Sequence, residues 1–365
     1  MQHPIDFQQL PEAARKVLGG APPLKMMAAR GVAPIPPAVL VAALYGLSYD
    51  ADEKLRESAR ATLGKLAEPI VQAAFSGELH AAVLDALATY NRGQEALLER
   101  VVQHPNVAGE TLAGIARTAS ERLCERIATN EARLLEHPEI IKSLYLNEHC
   151  RMSTTDRLME LAARNNVRVD LPQFEAIVSA LSEQLVMAEP TDEPLPGDDD
   201  FAAALSESAD GTADDILEDD EGQMTLNQRA ERAAKRLDEM TVTERIRTAM
   251  LGNGTQRAIL VRSSNRLVCA AVLDSPKITE DEVIKYAASR QVGEEILRRI
   301  AMRREWFRMY DVKRNLVFNP KTPVAESLKI LQHLMPQDVK KIKESKNVPA
   351  GLRTAAQALL NKRKG

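Results

Sequence analysis

Apolar residues recur along this chain at the three- and four-residue spacing that marks one buried face of an α-helix. Runs with this spacing are about 10–14 residues long, which is ordinary for globular helices. Short breaks between them hold helix stop or start signals, such as His104-Pro105. The pattern predicts helices over Leu79–Tyr90, Gln94–Gln103, Val107–Arg117, Ala119–Thr129 and Thr154–Asn165. It therefore favours many short helices joined by tight turns.

Helix starts can be placed at two further positions. Asp52 precedes a run with apolar residues at helical spacing, and its short carboxylate suits an N-cap. Thr279 precedes Glu280-Asp281-Glu282, which has the spacing of a capping box and places acidic groups at the positive end of the helix dipole.

One nine-residue sequence occurs three times in the second half of the chain. Ile246–Gly254 is followed by Val268–Pro276 and Val312–Pro320, at steps of 22 and 44 residues. A repeat of this size in a helical chain predicts an array of units, each burying its apolar face against its neighbours. Weaker copies over 97–105, 123–130 and 140–147 indicate that both halves are built from the same kind of unit.

Composition agrees with an all-α fold. The 365 residues are 44% apolar but only 4% aromatic, and Ala and Leu dominate. The three cysteines are far apart and odd in number, so we expect no disulfide framework and a reducing cytoplasm. We expect no secretory signal, because the first residues show no basic region followed by an apolar one. The longest apolar run, Pro37–Leu47, is well short of the roughly 20 residues that span a bilayer. We therefore expect no membrane insertion.

Charge is strongly segregated along the chain. Residues 187–222 carry 14 acidic and no basic groups, whereas residues 223–365 carry 29 basic and 15 acidic groups. The segregation predicts an N-terminal helical repeat domain (1–186), an acidic linker (187–222) and a basic C-terminal helical repeat domain (223–365).

The acidic linker is predicted to be disordered, because it has too few large apolar groups to offset its ordering entropy. It nevertheless contains two small apolar islands, Phe201–Leu205 and Ile216-Leu217. They are either incidental residues of a solvated linker, or one of them folds as a short helix against a groove of either arm or of a partner.

The third copy of the repeated sequence, with the helix after it, resembles the leucine-rich-repeat-variant type of α-solenoid, a relative in architecture of HEAT-like repeats. The residues that carry the resemblance are Val312, Lys313, Leu316, Val317, Asn319, Pro320, Thr322, Pro323, Leu328 and Leu331, with Val268, Val272, Pro276 and Ile284 in the copy before. It covers about 246–331 and, less clearly, 97–165. The whole chain also resembles uncharacterised bacterial helical-repeat proteins. The resemblance implies a curved stack of short helices that serves as a platform for partners.

The sequence offers no recognisable catalytic or metal-binding motif. GxxxxGK[ST], G-x-S-x-G, HExxH and GxGxxG do not occur, and the six histidines are scattered singly. Some relatives of the repeat type bind an iron–sulfur centre, but this chain supplies no four closely spaced thiolates. We therefore expect a protein that is not an enzyme, with no cofactor, metal or small-molecule substrate.

A cluster of basic and aromatic residues follows the second copy of the repeat. It contains the chain's single tryptophan. With a second basic cluster further on, the candidate partner-binding residues are Arg303, Arg304, Trp306, Phe307, Arg308, Tyr310, Lys313, Arg314, Lys340, Lys341 and Lys343. Interleaved cations and aromatics suit a protein hot spot or a surface that stacks nucleic-acid bases. Alternatively, Trp306 and Tyr310 lie in the core and the arginines line a solvated face.

Two functional hypotheses follow from these features. The first is a cytoplasmic, non-enzymatic scaffold: two α-solenoid arms, joined by the linker, that bind protein partners of unknown identity. The second is a nucleic-acid-binding protein whose basic C-terminal arm is autoinhibited by the acidic linker. The second hypothesis requires binding that weakens steeply as salt rises.

Overall fold

Short helices with one apolar face make up nearly all the regular structure of the chain. A computed structural model describes residues 7–183, 193–206, 211–219 and 222–364. The chain divides into two compact units, Met1–Asp170 and Leu171–Gly365. In the described residues the predicted all-α class is confirmed, apart from one small two-stranded sheet.

The first unit contains a 3-10 turn (Phe7–Gln9) and twelve α-helices within the described residues. The helices are α1 (Glu12–Leu18), α2 (Pro22–Ala29), α3 (Pro37–Leu47), α4 (Glu53–Leu63), α5 (Glu68–Phe75), α6 (Ala81–Tyr90), α7 (Glu95–Gln103), α8 (Gly109–Ala116), α9 (Glu121–Ala128), α10 (Glu131–Glu136), α11 (Pro138–Tyr145) and α12 (Met152–Arg164). From α6 onward, α6, α8 and α11 pack side by side, and so do α7, α9 and α12. Successive helix pairs thus bury their apolar faces against one another.

The second unit follows the same plan. Its α-helices are α13 (Phe174–Glu183), α14 (Pro196–Ser206), α15 (Gln228–Glu239), α16 (Val242–Leu251), α17 (Gly254–Leu260), α18 (Arg266–Leu273), α19 (Glu280–Ala288), α20 (Glu294–Met302), α21 (Arg304–Phe307), α22 (Tyr310–Phe318), α23 (Val324–Leu331), α24 (Pro336–Glu344) and α25 (Ala350–Lys364). Helices α16, α18 and α20 pack in sequence, and α17, α19 and α22 form a second row.

The three copies of the repeated sequence share three buried positions, the first, fifth and sixth. Their first residues, Ile246, Val268 and Val312, are all 0% exposed. However, α16 and α18 pack together, whereas α22, which carries the third copy, packs against α19. Hydrogen bonds between neighbouring pairs join residues 25 to 32 positions apart, such as Ser275 to Met250 and Asn319 to Ala287. The packing interval therefore differs from the 22-residue step of the sequence.

The predicted disorder of the acidic linker is wrong for those of its residues that the structure describes. Helix α14 begins there, the Asp198 carboxylate accepts the Leu195 N–H at 2.9 Å, and Phe201 is only 2% exposed. Further along, β1 (Ile216–Glu218) pairs antiparallel with β2 (Met224–Leu226) in the register Ile216↔Leu226. Residues 187–192, 207–210, 220 and 221 lie outside the described residues.

The division of the chain also differs from the boundaries inferred from charge, at 186 and 222. Helix α13 packs against α16 and belongs to the second unit. The physical reason is that apolar packing decides which helices stay together, whereas charge varies along the solvated faces. No helix among the described residues has the length and apolar character that crossing a bilayer requires.

Candidate protein interface

The predicted basic and aromatic cluster is divided between the core and the surface. Trp306, on α21, is 7% exposed. The Arg303 guanidinium lies 4.6 Å from the centre of its ring, and the Nη1 of Arg303 donates to the Leu273 carbonyl at 2.7 Å. A second hydrogen bond joins Arg303 to the Asp274 carboxylate. Arg303 and Trp306 therefore join α20 and α21 to the end of α18.

Tyr310 also links helices. Its hydroxyl donates to the Asp338 carboxylate and accepts the Met335 N–H at 3.1 Å, which connects α22 to the start of α24. Burial and the hydrogen bond to Asp338 raise the pKa of the Tyr310 hydroxyl. Tyr310 is half-buried and links two helices, rather than lying in the core as the second interpretation of the cluster expected.

The remaining members lie nearer the surface. Phe307 is half-buried, packs edge to face on His333 at 5.6 Å between ring centres and lies 5.4 Å from the Lys313 ammonium. The Arg314 guanidinium lies 3.7 Å from the Asp311 carboxylate of the same helix. The exposed cations are Arg304, Arg308, Arg314, Lys340, Lys341 and Lys343. Few aromatic faces are thus left beside them for bases to stack on.

A different surface of the second unit is covered by a segment of the same chain. Residues 196–206 and 211–218 of the acidic stretch, here named the docked segment, lie against α16, α17 and α19. We name those helices, with the residues that follow α19, the docking surface. The contacts run along both parts of the segment and combine aromatic, main-chain and carboxylate recognition.

Phe201 anchors the helical part of the docked segment. The guanidinium of Arg247 lies 4.8 Å from the centre of the Phe201 ring, and Arg247 is 0% exposed. A buried cation over an aromatic face is a favourable contact because neither group is screened by water. One turn further, the Gln256 side-chain amide donates to the Ala204 carbonyl at 2.8 Å. The docking surface therefore contacts this end of the segment through one aromatic side chain and one main-chain carbonyl.

Two glycines allow the extended part of the docked segment to approach α17. The Gly254 N–H donates to the Gly211 carbonyl at 3.0 Å. A Cβ on Gly211 would lie 2.6 Å from the Thr255 hydroxyl oxygen, and a Cβ on Gly254 would lie 2.9 Å from the Thr212 Cα. Neither side chain fits, so the contact requires glycine on both sides.

The Asp215 carboxylate of the docked segment accepts three hydrogen bonds. It accepts from the Thr255 hydroxyl, from the Asn227 amide at 2.6 Å and from the Thr212 N–H at 3.2 Å. Burial by itself raises the pKa of Asp215, but these hydrogen bonds and the nearby Arg229 outweigh it and hold the pKa below its ordinary value. The pocket therefore favours an ionised carboxylate.

Glu218 is bound at the far end of the segment. Its carboxylate accepts from the Ser289 hydroxyl at 2.5 Å and from the Arg290 N–H at 2.6 Å. The Arg262 guanidinium lies 3.4 Å away. Asp214 adds an ion pair with Lys285 at 2.5 Å, but its side chain is 76% exposed and contributes less.

A buried ion pair fixes the loop that faces the docked segment. Arg257 and Glu282 have side chains only 5% and 6% exposed and are joined at 2.8 and 3.2 Å in a bidentate pair. The Nη1 of Arg257 also donates to the Gly252 carbonyl at 2.6 Å. Because Gly252 lies just before Gly254, the pair holds the docking surface in a defined shape.

A cavity of about 400 Å³ opens beside β1. The cavity is lined by β1 and by Lys285, Tyr286, Arg290, Asn315 and Phe318. Tyr286 is 0% exposed, its hydroxyl has no hydrogen-bond partner among the described residues, and burial raises its pKa. The docking surface therefore continues past the segment toward α22.

The residues that could carry chemistry are buried and separate. Cys124, Cys150 and Cys269 are buried and form no disulfide among the described residues, and burial raises the pKa of the Cys269 thiol to about 11, which keeps it protonated. In the described part of the chain no three His, Cys, Asp or Glu side chains lie close enough together to bind a metal ion.

Comparison with known protein families, curated proteins and solved structures finds no match for this chain.

The repeated sequence itself carries a signal for the docking surface. The second and third copies of the repeated sequence end in Pro276 and Pro320, whereas the first ends in Gly254. Proline has no N–H to donate. The departure from the repeat falls at the residue whose N–H binds the docked segment.

Proposed function

We propose that this chain is a non-enzymatic protein-interaction scaffold of the cytoplasm, built as an α-solenoid of stacked helix pairs. Its C-terminal unit would use the docking surface to bind partner proteins. The single observation that carries the proposal is that this surface already holds a peptide of the same chain, through Phe201, Asp215 and Glu218 and through main-chain bonds. Peptide recognition of this kind combines main-chain affinity with side-chain specificity.

Equivalent asparagines in the two units support the solenoid part of the proposal. The Asn147 amide donates to the Ala116 and Ala119 carbonyls, both at 2.8 Å. The Asn319 amide donates to the Ala287 and Ser289 carbonyls at 3.0 and 2.8 Å. Each asparagine follows a helix that packs on the helix whose end it bonds: α11 on α8, and α22 on α19. A shared polar contact of this kind is what a common repeat unit produces.

A photo-crosslinking experiment in the cell tests the proposal. A benzophenone amino acid replaces Arg290, which is half-buried in the docking surface, in the full chain; the backbone N–H that binds Glu218 is kept. We expect crosslinks to a small set of proteins, mapped by mass spectrometry to one acidic segment in each.

The control is the same chain with Thr255→Val and Ser289→Ala, which remove two hydroxyl donors of the docking surface without changing its charge. Loss of those crosslinks supports the scaffold. An unchanged set of crosslinks in the control contradicts it.

A further inference from the structure

We propose that residues 211–218 are a built-in copy of the ligand, so that the docking surface recognises acidic peptides of one pattern and stays closed until its own segment leaves. The pattern is glycine, any residue, a small residue, any residue, aspartate, an aliphatic residue, any residue and glutamate. This inference rests on the proposed function and adds to it the partner class and a means of regulation.

The contacts of the docked segment define the pattern position by position. The Gly211 carbonyl accepts the Gly254 N–H where no side chain fits. Ala213 and Ile216 are each 7% exposed, so a small and an aliphatic side chain are required there. By contrast, Leu217 is 66% exposed and can vary.

The two acidic positions are read individually. Asp215 meets the Thr255 hydroxyl, and Glu218 meets the Ser289 hydroxyl and the Arg290 N–H. Charge-assisted hydrogen bonds of this type are roughly twice as strong as neutral ones and depend on geometry. A general polyanion would match the charge of the surface but not the spacing of these donors. The surface therefore fits an acidic peptide with carboxylates three residues apart.

Occupancy by its own segment weakens binding of any partner peptide. A segment tethered in the same chain reaches an effective concentration on the order of millimolar. A competing peptide then sees only the fraction of molecules whose surface is open, and its apparent affinity falls by that fraction. Weakening the segment should therefore raise the affinity for a peptide added from outside.

The test uses the full chain and a fluorescently labelled synthetic peptide. The peptide keeps the residues of Gly211, Ala213, Asp215, Ile216 and Glu218 and changes the other positions of the pattern. The segment variant, Asp215→Asn with Glu218→Gln, weakens only the chain's own copy. Because its surface is open for more of the time, we expect it to bind the peptide about tenfold or more tighter than the wild type.

The matched control is Asp199→Asn with Asp200→Asn. It also removes two negative charges from the docked segment, but from side chains that are exposed. We expect it to bind the peptide as the wild type does. Adding Thr255→Val and Ser289→Ala to the segment variant should abolish the gain.

A second measurement needs no substitution in the chain. Saturating the wild type with the peptide should raise hydrogen exchange at the amides of residues 211–218, because the added peptide displaces them. This readout decides the matter even if the segment variant folds poorly.

Two results would overturn the inference. One is equal peptide affinity in the segment variant and the wild type, without displacement of the chain's own segment. The other is binding of the native 211–218 sequence but not of the pattern peptide, which would show that the surface does not recognise the proposed pattern. Either result leaves crosslinking at Arg290 unaffected, so failure of the scaffold itself is detected separately.

Discussion

Gly254 is the residue at which the docked segment comes closest to the backbone of α17. Its N–H donates to the Gly211 carbonyl, and an added Cβ would meet the Thr212 Cα at 2.9 Å and the Ala213 nitrogen at 3.1 Å. Both neighbours are backbone atoms and cannot rotate away. The segment can therefore dock only if residue 254 has no side chain.

The substitution Gly254→Ala should release the docked segment. Alanine at a compatible glycine position would stabilise a protein by about 0.4–1 kcal/mol, so the predicted loss has the opposite sign. We expect faster hydrogen exchange at residues 211–218, measured by mass spectrometry. Gly293→Ala is the matched control, because nothing lies within 4 Å of its Cβ position; unchanged exchange in Gly254→Ala would contradict the contact.

The Asp215 carboxylate makes docking sensitive to acid. Its pKa in the folded chain lies below the ordinary value, which is about 3.9 for aspartate. A lowered pKa contributes stability that is present above the ordinary value and is lost as the pH falls through the folded value. Near neutral pH, we expect Asp215→Asn to lower the free energy of unfolding by about 1.5–3 kcal/mol, the range for hydrogen bonds to a charged group.

The difference between wild type and Asp215→Asn should shrink as the pH falls below about 4. Urea unfolding at pH 6 and at pH 3, followed by circular dichroism, measures it. Asp199→Asn, at an exposed position, should show little difference at either pH. If the stability difference between wild type and Asp215→Asn grew in acid, the pKa of Asp215 would be raised in the folded chain and not lowered.

Helices of neighbouring pairs are joined by polar side chains as well as by apolar faces. Asn147 is 2% exposed; its amide donates to two carbonyls near the end of α8, and its Oδ1 accepts the His149 N–H at 2.9 Å. The Asn147 side chain thus forms hydrogen bonds with main-chain groups near the ends of two helices. Groups at helix ends have no partner within their own helix.

Replacing Asn147 by alanine should destabilise the first unit by about 2–3 kcal/mol, because it leaves buried carbonyls and an N–H without a partner. Chemical denaturation followed by circular dichroism gives the value. In the control, Asn165→Ala, the amide is exposed and donates to the Leu161 carbonyl of its own helix. There we expect a change within about 0.5 kcal/mol; equal losses at both sites would refute a special role for Asn147.

The helices themselves were largely predictable from apolar spacing. The run predicted over Gln94–Gln103 is α7 (Glu95–Gln103), and Thr154–Asn165 corresponds to α12 (Met152–Arg164). Asp52 caps α4 through the Lys54 N–H, and Thr279 forms its capping box with Glu282. Helix spans and N-caps depend on residues within one or two turns of each other, so the local sequence is enough to predict them.

The docked segment was not predictable in the same way. Its composition lacks the apolar surface to fold by itself, which is why disorder was expected. In the described residues, the partners that order it lie far along the chain: Thr255 is 40 residues from Asp215, and Ser289 is 71 residues from Glu218. The apolar islands and the glycine at position 254 marked the contact, but only the fold brings the two surfaces together.

Over the second unit as a whole, the docked segment and the exposed cations involve different helices. The segment contacts α16, α17 and α19, whereas Lys340, Lys341 and Lys343 lie on α24. An acidic linker that autoinhibits nucleic-acid binding, the alternative inferred from charge, would need to cover those cations. We therefore predict that release of the segment does not uncover a nucleic-acid site.

Titration of the full chain with a short single-stranded RNA, followed by fluorescence anisotropy, checks this prediction. The segment variant, Asp215→Asn with Glu218→Gln, should bind no more tightly than the control, Asp199→Asn with Asp200→Asn. Each variant loses two negative charges, but only the segment variant releases the segment. Any binding should weaken alike in both as salt rises, since exposed cations act through the phosphates. Much tighter binding by the segment variant alone would make nucleic acid, not an acidic peptide, the ligand that the docked segment excludes.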